Sequence, residues 1–220
     1  MATEPLDILE EAVEIPGDDA PLAGVLAYPL AGRPSRGALI VGPHPLMGGR
    51  LENNVVRGVG RGLAEHGLIT LRFQFSGAST SAEVMECFWQ TGVAPDDPRR
   101  ADDARSAAAW FAGLISAPAL LIGYSFGASL LAALSSERTP GVVLIGPTLT
   151  QHDYAALAAS AVAKLIIAAD NDFATPPAAT QSWFEAAAEP KKLVVVPAAE
   201  HFYRGQESRL VEEIVRWMPS

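Results

Sequence analysis

The chain has 220 residues, 49% of them apolar, and a formal net charge of −9. An acidic surface repels phosphates, which argues against nucleic acid or an anionic membrane as a partner. The single cysteine, Cys87, excludes an internal disulfide and favours a cytoplasmic location. No secretory-signal pattern and no apolar run of about 20 residues is present, so we expect one cytoplasmic domain over residues 1–220 with no membrane span.

Short apolar runs rich in Val, Ile and Leu recur along the chain and predict buried β-strands. The first run is the weakest, and we expect it to pair with the second as a hairpin. The predicted strands lie at 11–15, 22–28, 37–42, 68–73, 118–123, 141–146, 164–169 and 192–196.

Helical patterns separate the later strands. Leu51, Val55, Val59 and Leu63 recur every fourth residue, and Gly67 supplies a stop. Strands that alternate with helices imply right-handed crossovers and a mostly parallel sheet covered on both faces, with ligands bound at the carboxyl ends of the strands. The other helices are predicted from Asp97-Pro98 to Ile115, over 128–134, from Thr175-Pro176 onward and over 210–218.

The sequence Gly123-Tyr124-Ser125-Phe126-Gly127 stands directly behind the predicted strand at 118–123. A serine between two glycines, where a buried strand gives way to a helix, is typical of a nucleophile, because only glycine fits the flanks of so tight a turn. The following helix points its amino terminus at the serine, where developing negative charge is stabilised. Ser125 is therefore the candidate nucleophile, and Tyr124 is a candidate substrate contact.

A serine hydroxyl needs a base at neutral pH, and the base needs a partner that orients it. Of the four histidines, His66 suits a helix end and His152 suits the surface. His201 follows the last predicted strand and precedes the final helix, which places it at the same edge of the sheet as Ser125. We therefore take His201 as the candidate base.

The acid is expected in the turn after the strand at 164–169, which contains both Asp170 and Asp172. Either carboxylate could reach His201. Asp172 lies further out, where the loop can turn toward the histidine, whereas Asp170 is closer to the strand and better placed to hold the loop itself. Position favours Asp172.

The order Ser125, Asp172, His201, with the serine in Gly-Tyr-Ser-Phe-Gly, resembles the α/β-hydrolase superfamily over nearly the whole chain. This resemblance also favours Asp172 as the acid. It implies a three-layer α/β fold whose eight-stranded sheet is mostly parallel, with an antiparallel first hairpin. A cap domain would enter between the strands at 141–146 and 164–169, where 17 residues have room for one short helix.

A second motif narrows the resemblance. Gly42-Pro-His-Pro-Leu-Met-Gly-Gly49, with Asn53-Asn54 and Leu71-Arg-Phe-Gln-Phe75, resembles the small, cap-free, dienelactone-hydrolase-like branch of the superfamily. In that branch we would expect a histidine where this chain has Gly42 and an arginine where it has Ser76. These departures leave the expected fold unchanged but do not allow a substrate class to be transferred.

The resemblance also assigns an oxyanion hole. One donor is the amide of Phe126, and the second comes from the loop after the third strand. Because proline has no N–H, Leu46 is the expected second donor and Met47 the fallback. His44 either lines the substrate pocket or holds the oxyanion loop through its ring nitrogens, and we favour the second role.

The long connection 74–99 begins near the expected site and contains Met85, Cys87, Phe88 and Trp89. Connections of this length are often functional. We expect Phe88 and Trp89 to form an apolar wall of the substrate pocket, with Met47 also contacting substrate. The alternative is that the two aromatic residues simply pack on the domain surface.

These residues predict a serine hydrolase that cleaves a small or medium carboxylic ester, thioester or lactone through an acyl-enzyme. The alternative is an acyltransferase, lyase or cyclase with the same triad, because fold does not fix chemistry. A non-catalytic ligand-binding relative would be free to lose a triad member, and all three are present. No metal-ligand spacing or dinucleotide fingerprint occurs, so we expect no metal or cofactor and a small-molecule substrate. The sequence leaves the oligomeric state open.

Overall fold

A computed structural model describes residues 5–77, 86, 89–91 and 97–218. Within these residues eight strands form one sheet. They are β1 (Ile8–Ile15), β2 (Leu22–Pro29), β3 (Gly37–Val41), β4 (Ile69–Phe73), β5 (Leu120–Tyr124), β6 (Val142–Ile145), β7 (Lys164–Asn171) and β8 (Lys191–Glu200).

The strand order is β1-β2-β4-β3-β5-β6-β7-β8. β1 and β2 form an antiparallel hairpin, and β2 also runs antiparallel to β4. Every later pairing is parallel. The predicted eight-stranded, mostly parallel sheet with an antiparallel first hairpin is therefore confirmed. Because the strands from β3 onward are parallel, the loops after β3, β5, β7 and β8 all meet at one edge of the sheet.

Seven α-helices have both ends within the described residues, and they lie on both faces of the sheet. A 3₁₀ turn, Pro45–Met47, precedes the first of them. The helices are α1 (Asn54–Glu65), α2 (Arg99–Ala112), α3 (Phe126–Ser129), α4 (Leu131–Leu134), α5 (Ala155–Ala159), α6 (Pro177–Ala186) and α7 (Glu207–Trp217).

Two helix predictions need correction. Leu51 precedes α1, because the side chain of Asn53 accepts hydrogen bonds from the amides of Val55 and Val56 and so starts the helix there. The helix predicted over 128–134 is two short helices, α3 and α4. They are separated at Leu130, whose amide bonds to the carbonyl three residues earlier, at Gly127, as in a 3₁₀ turn.

Alternate residues of the central strands fill two cores. Ile40 and Ile122 face the side covered by α1 and α7. Leu39 and Leu121 face the side covered by α2 to α5. Each buried side chain of this size contributes about 1.5–3 kcal/mol. Between β6 and β7 the chain forms only the short helix α5, so no cap covers the sheet edge there.

Candidate active site

Ser125 stands on a strained turn between β5 and α3. Its backbone has φ 55° and ψ −121°, a conformation that costs a non-glycine residue about 1–3 kcal/mol. The turn is held by its amide, which donates to the carbonyl of Ile145 at 2.9 Å. A Cβ at Gly123 would lie 2.4 Å from the Cα of Ala128, and one at Gly127 would lie 2.2 Å from the carbonyl oxygen of Val41. The two glycines are therefore required by backbone packing.

His201 follows β8 and reaches the nucleophile elbow. Its Nε2 lies 3.0 Å from Ser125 Oγ. The imidazole is buried, with 5% of the residue exposed. Below it, the hydroxyl of Tyr124 donates to the His201 carbonyl at 3.0 Å. The last residue of β5, which precedes Ser125, therefore holds the backbone of His201 in place.

Asp172 contacts the other ring nitrogen. His201 Nδ1 lies 2.9 Å from Asp172 Oδ1 and 3.0 Å from Oδ2. Asp172 Oδ1 also accepts the amides of Ala174, at 2.8 Å, and Thr175, at 3.2 Å. A carboxylate held this way keeps the Nδ1 proton facing it and leaves Nε2 free to accept the serine proton.

The register of the last two strands brings the acid and the base together. β7 and β8 shift register between Ala169 and Asn171, and Asn171 then pairs with Glu200. Asp172 directly follows Asn171, and His201 directly follows Glu200, so the two side chains leave the strand ends side by side. Asp170 instead accepts the amides of Ala198, at 2.9 Å, and Ala199, at 3.1 Å. Of the two aspartates left open by the sequence, Asp172 contacts the histidine and Asp170 holds the β8 backbone.

The expected oxyanion donors differ in their present bonding. Phe126 begins α3, so its amide has no acceptor within the helix. The Leu46 amide donates to His44 Nδ1 at 3.2 Å, and the Met47 amide donates to the His44 carbonyl at 2.8 Å. His44 is buried with its ring edge-on to Phe126, 5.2 Å between centroids. The imidazole therefore braces the loop through a ring nitrogen.

The remaining candidate substrate contacts are placed unequally. Met47 is exposed in the 3₁₀ turn, and Trp89 is exposed by 75%. Phe88 lies outside the described residues, as do Met85 and Cys87 of the same connection. Tyr124 is 1% exposed, because its ring lies beneath His201 and its hydroxyl holds the backbone there. The structure thus does not bring Tyr124 to the surface of the site.

Three side chains that lie beside the candidate site were not predicted from the sequence. Phe173 and Phe202 stand beside His201, and both are next to predicted triad residues in the sequence, which is the signal that could have found them. His152, expected at the surface, is half-buried against the Phe126 ring with its Nδ1 2.8 Å from Thr148 Oγ1. No local pattern indicates this last contact.

Within the described ranges, no three His, Cys, Asp or Glu side chains gather in a way that could hold a metal ion. The helices of the same ranges are all too short or too polar to cross a bilayer.

Solved structures similar to this one include proteins described as hydrolases. A serine hydrolase homologue from Coxiella burnetii is 27% identical with a TM-score of 0.80, over 94% of this chain and 96% of that one. A serine hydrolase without a lid from Xanthomonas campestris is 25% identical with a TM-score of 0.74, over 96% of both chains. A dienelactone hydrolase from Anabaena variabilis shares the fold at 20% identity and a TM-score of 0.71, over 96% of this chain and 99% of that one.

The sequence matches no protein-family model and none of the curated proteins. The structural similarity nevertheless spans nearly the whole chain and includes the lid-free architecture. It supports hydrolase chemistry at the sheet edge where Ser125 and His201 meet. The chain has the α/β-hydrolase fold without a cap, and it is similar in structure to serine hydrolases, one of which is described as lacking a lid.

Proposed function

We propose that the protein hydrolyses a small or medium carboxylic ester, thioester or lactone through an acyl-enzyme on Ser125. The observation that carries this proposal is the bridging position of His201, 3.0 Å from Ser125 Oγ and 2.9 Å from Asp172 Oδ1. Nucleophile, base and orienting acid are in hydrogen-bond contact without any movement, as nucleophilic catalysis by serine requires.

The first half of the reaction forms the acyl-enzyme. Ser125 Oγ attacks the carbonyl carbon while His201 Nε2 takes the hydroxyl proton, and Asp172 stabilises the imidazolium that results. The tetrahedral intermediate then expels the alcohol or thiol, which receives the proton from Nε2. In the second half, water donates a proton to the same nitrogen and attacks the acyl carbon, and Ser125 is regenerated with its proton.

The negative charge of each intermediate needs donors that are already in place. The Phe126 amide, at the start of α3, is one. We assign the second donor to the amide of Leu46. This amide now donates to His44 Nδ1, so when substrate binds it must either donate to both acceptors or break the bond to His44. Loss of one such donor typically costs about 3 kcal/mol of transition-state stabilisation.

The open sheet edge sets the size of the substrate. With only α5 between β6 and β7, the site suits a small molecule or an exposed acyl group on a larger one. Met47 in the 3₁₀ turn is available to contact it. We retain the proposal that the connection 74–99, through Phe88 and Trp89, adds an apolar wall.

Labelling with a fluorophosphonate followed by peptide mapping tests the proposal. We expect one adduct on Ser125 in the folded protein and none in Ser125→Ala. A screen of p-nitrophenyl esters of increasing acyl length should then give turnover with a preference for short or medium chains. Mass spectrometry of the products should show the gain of one water. An unlabelled Ser125 would refute the activated serine, and a product without added water would indicate an acyltransferase, lyase or cyclase.

A further inference from the structure

Two phenylalanine rings form an apolar surface at the mouth of the site. The Phe173 ring centroid lies 5.1 Å from that of His201 and 5.5 Å from that of Phe202. The Phe202 centroid lies 5.9 Å from that of His201. Phe173 is 62% exposed even though it directly follows the buried Asp172. An exposed aromatic surface of this kind beside reactive groups marks a place where an apolar ligand is bound.

The backbone that carries the Phe173 ring is held in place by hydrogen bonds on the residues next to it. Asp172 Oδ1 accepts the amides of Ala174 and Thr175, which closes a tight turn around Phe173. Thr175 anchors this turn, because its hydroxyl donates to the carbonyl of Pro147 at 2.7 Å. An aromatic side chain on a fixed turn loses little conformational freedom when it binds.

Phe202 is held from a different direction. Its carbonyl accepts a hydrogen bond from Asn54 Nδ2 at 2.9 Å, which ties it to the start of α1. The guanidinium of Arg204 lies over its ring, 4.9 Å from the centroid, and faces Glu200 at 3.7 Å. Glu200 pairs with that guanidinium, and the exposed ring of Phe173, 62% accessible, supplies most of the apolar surface.

If the proposed function holds, the position of the two rings determines which part of the substrate they contact. The leaving oxygen must come within hydrogen-bond distance of His201 Nε2 to receive its proton. The carbonyl oxygen of the ester faces the Phe126 amide, on the other side of Ser125. A group attached to the leaving oxygen therefore lies beside the imidazole, where Phe173 and Phe202 stand.

We propose that Phe173 and Phe202 form a leaving-group subsite that selects esters of bulky, ring-bearing apolar alcohols. A ring of the alcohol stacks offset or edge-on against Phe173, in the geometries that aromatic pairs prefer. Such a contact, with the apolar area that it covers, corresponds to about a tenfold preference over a methyl ester.

A series of esters with one acyl group and the alcohols methanol, cyclohexylmethanol and benzyl alcohol tests this subsite. The alcohols are of similar acidity, so differences in kcat/KM report binding and not leaving-group reactivity. The variants are Phe173→Ala and Phe173→Leu. The control is Leu30→Ala, which removes an equally exposed apolar side chain (63%) beyond the end of β2, at the opposite edge of the sheet.

We expect Phe173→Ala to reduce the benzyl-to-methyl ratio of kcat/KM about tenfold, mainly through KM. Phe173→Leu should keep part of the preference for cyclohexylmethyl and lose most of that for benzyl. Leu30→Ala should have the ratios of the unaltered protein. Circular dichroism and thermal melts check that each variant is folded.

Two results would overturn the subsite. Equal loss of kcat/KM for all three esters would mean that Phe173 only shields the His201–Asp172 pair from water. Unaltered ratios would mean that the alcohol lies elsewhere. In both cases fluorophosphonate labelling of Ser125 would still support the proposed hydrolase, whereas absence of labelling and of ester turnover would refute both proposals.

Discussion

Two aspartates, separated by Asn171, have different roles at the end of β7. Asp172 faces an imidazole nitrogen and two backbone amides, and its side chain is 4% exposed. Asp170 points across to β8 and accepts the amides of Ala198 and Ala199. Ala198 has φ 56°, so those two bonds hold a residue in the left-handed region. One carboxylate orients the proposed base, and the other holds the strand that carries it.

This difference predicts opposite phenotypes for two isosteric substitutions. Asp172→Asn should lower kcat about 10³- to 10⁴-fold, because an amide at this position favours the wrong tautomer of His201. Asp170→Asn keeps one acceptor for the β8 amides, so it should lower the free energy of unfolding by about 1 kcal/mol with a much smaller change in kcat. Ester kinetics and thermal melts of both variants check this. A larger loss of kcat in Asp170→Asn would reverse the assignment.

At the scale of elements, the start of α1 connects two loops of the site. Asn53 caps the helix and donates from Nδ2 to the carbonyl of Gly48, in the loop after β3, at 3.2 Å. Asn54 donates to the carbonyl of Phe202, next to His201, at 2.9 Å and to Glu207 Oε1, at the start of α7, at 2.7 Å. Adjacent side chains of one helix end therefore hold the loops on either side of Ser125.

Each asparagine should affect a different property. Asn53→Ala removes a helix cap, so the free energy of unfolding should fall by about 1 kcal/mol. Asn54→Ala should lower kcat several-fold, because it frees the backbone beside His201 and small displacements at a reacting group are costly. Chemical denaturation and ester kinetics measure the two effects. An unaltered kcat in Asn54→Ala would show that the histidine loop does not need this anchor.

At the scale of the whole molecule, an ion-pair network joins the first strand to the centre of the sheet. Arg72, buried on β4, places Nη1 2.8 Å from Glu10 Oε1 on β1. Arg61 of α1 contacts the other oxygen of Glu10. Arg72 Nε also donates to the carbonyl of Leu51 at 3.1 Å. The network therefore connects β1, β4 and α1 with Leu51, which lies between the 3₁₀ turn and α1.

The network makes stability depend on pH. Burial raises the pKa of Glu10, but the ion pair with Arg72 and the charged hydrogen bond from Arg61 outweigh burial and leave the pKa below its ordinary value of 4.5. The folded protein therefore holds fewer protons than the unfolded chain in this range, so its stabilisation is complete above pH 4.5 and lost as pH falls through the lowered pKa.

Urea unfolding from pH 7 to pH 3 measures this dependence. Glu10→Gln should be less stable than the unaltered protein at pH 7. The difference should shrink on acidification, because protonation of Glu10 removes stabilisation from the unaltered protein, whereas the glutamine has no proton to gain. Glu11→Gln is the matched control, since Glu11 accepts the hydroxyl of Tyr28 at 3.0 Å on the exposed face of the hairpin and lies next to Glu10 in the sequence. A constant difference between Glu10→Gln and the unaltered protein across this range would contradict the network's role.

The local patterns of the sequence predicted the fold well. Apolar runs fixed the positions of all eight strands, and the glycine-flanked Ser125 indicated the turn between β5 and α3. Such patterns act over a few residues, through burial alternation and allowed backbone angles. They were less reliable at element ends. The start of α1 depends on the Asn53 side chain, and the break at Leu130 depends on competition between hydrogen bonds.

The sequence by itself determined the succession of strands and helices along the chain, the strained turn at Ser125 and the edge of the sheet where a site was expected. Only the tertiary structure decided which aspartate meets His201, because the answer lies in the register shift between β7 and β8. Only the tertiary structure placed Tyr124 beneath the histidine and the Leu46 amide on His44. Contacts between residues as distant as Ser125 and His201, 76 positions apart, depend on how the whole sheet packs, which no local pattern encodes.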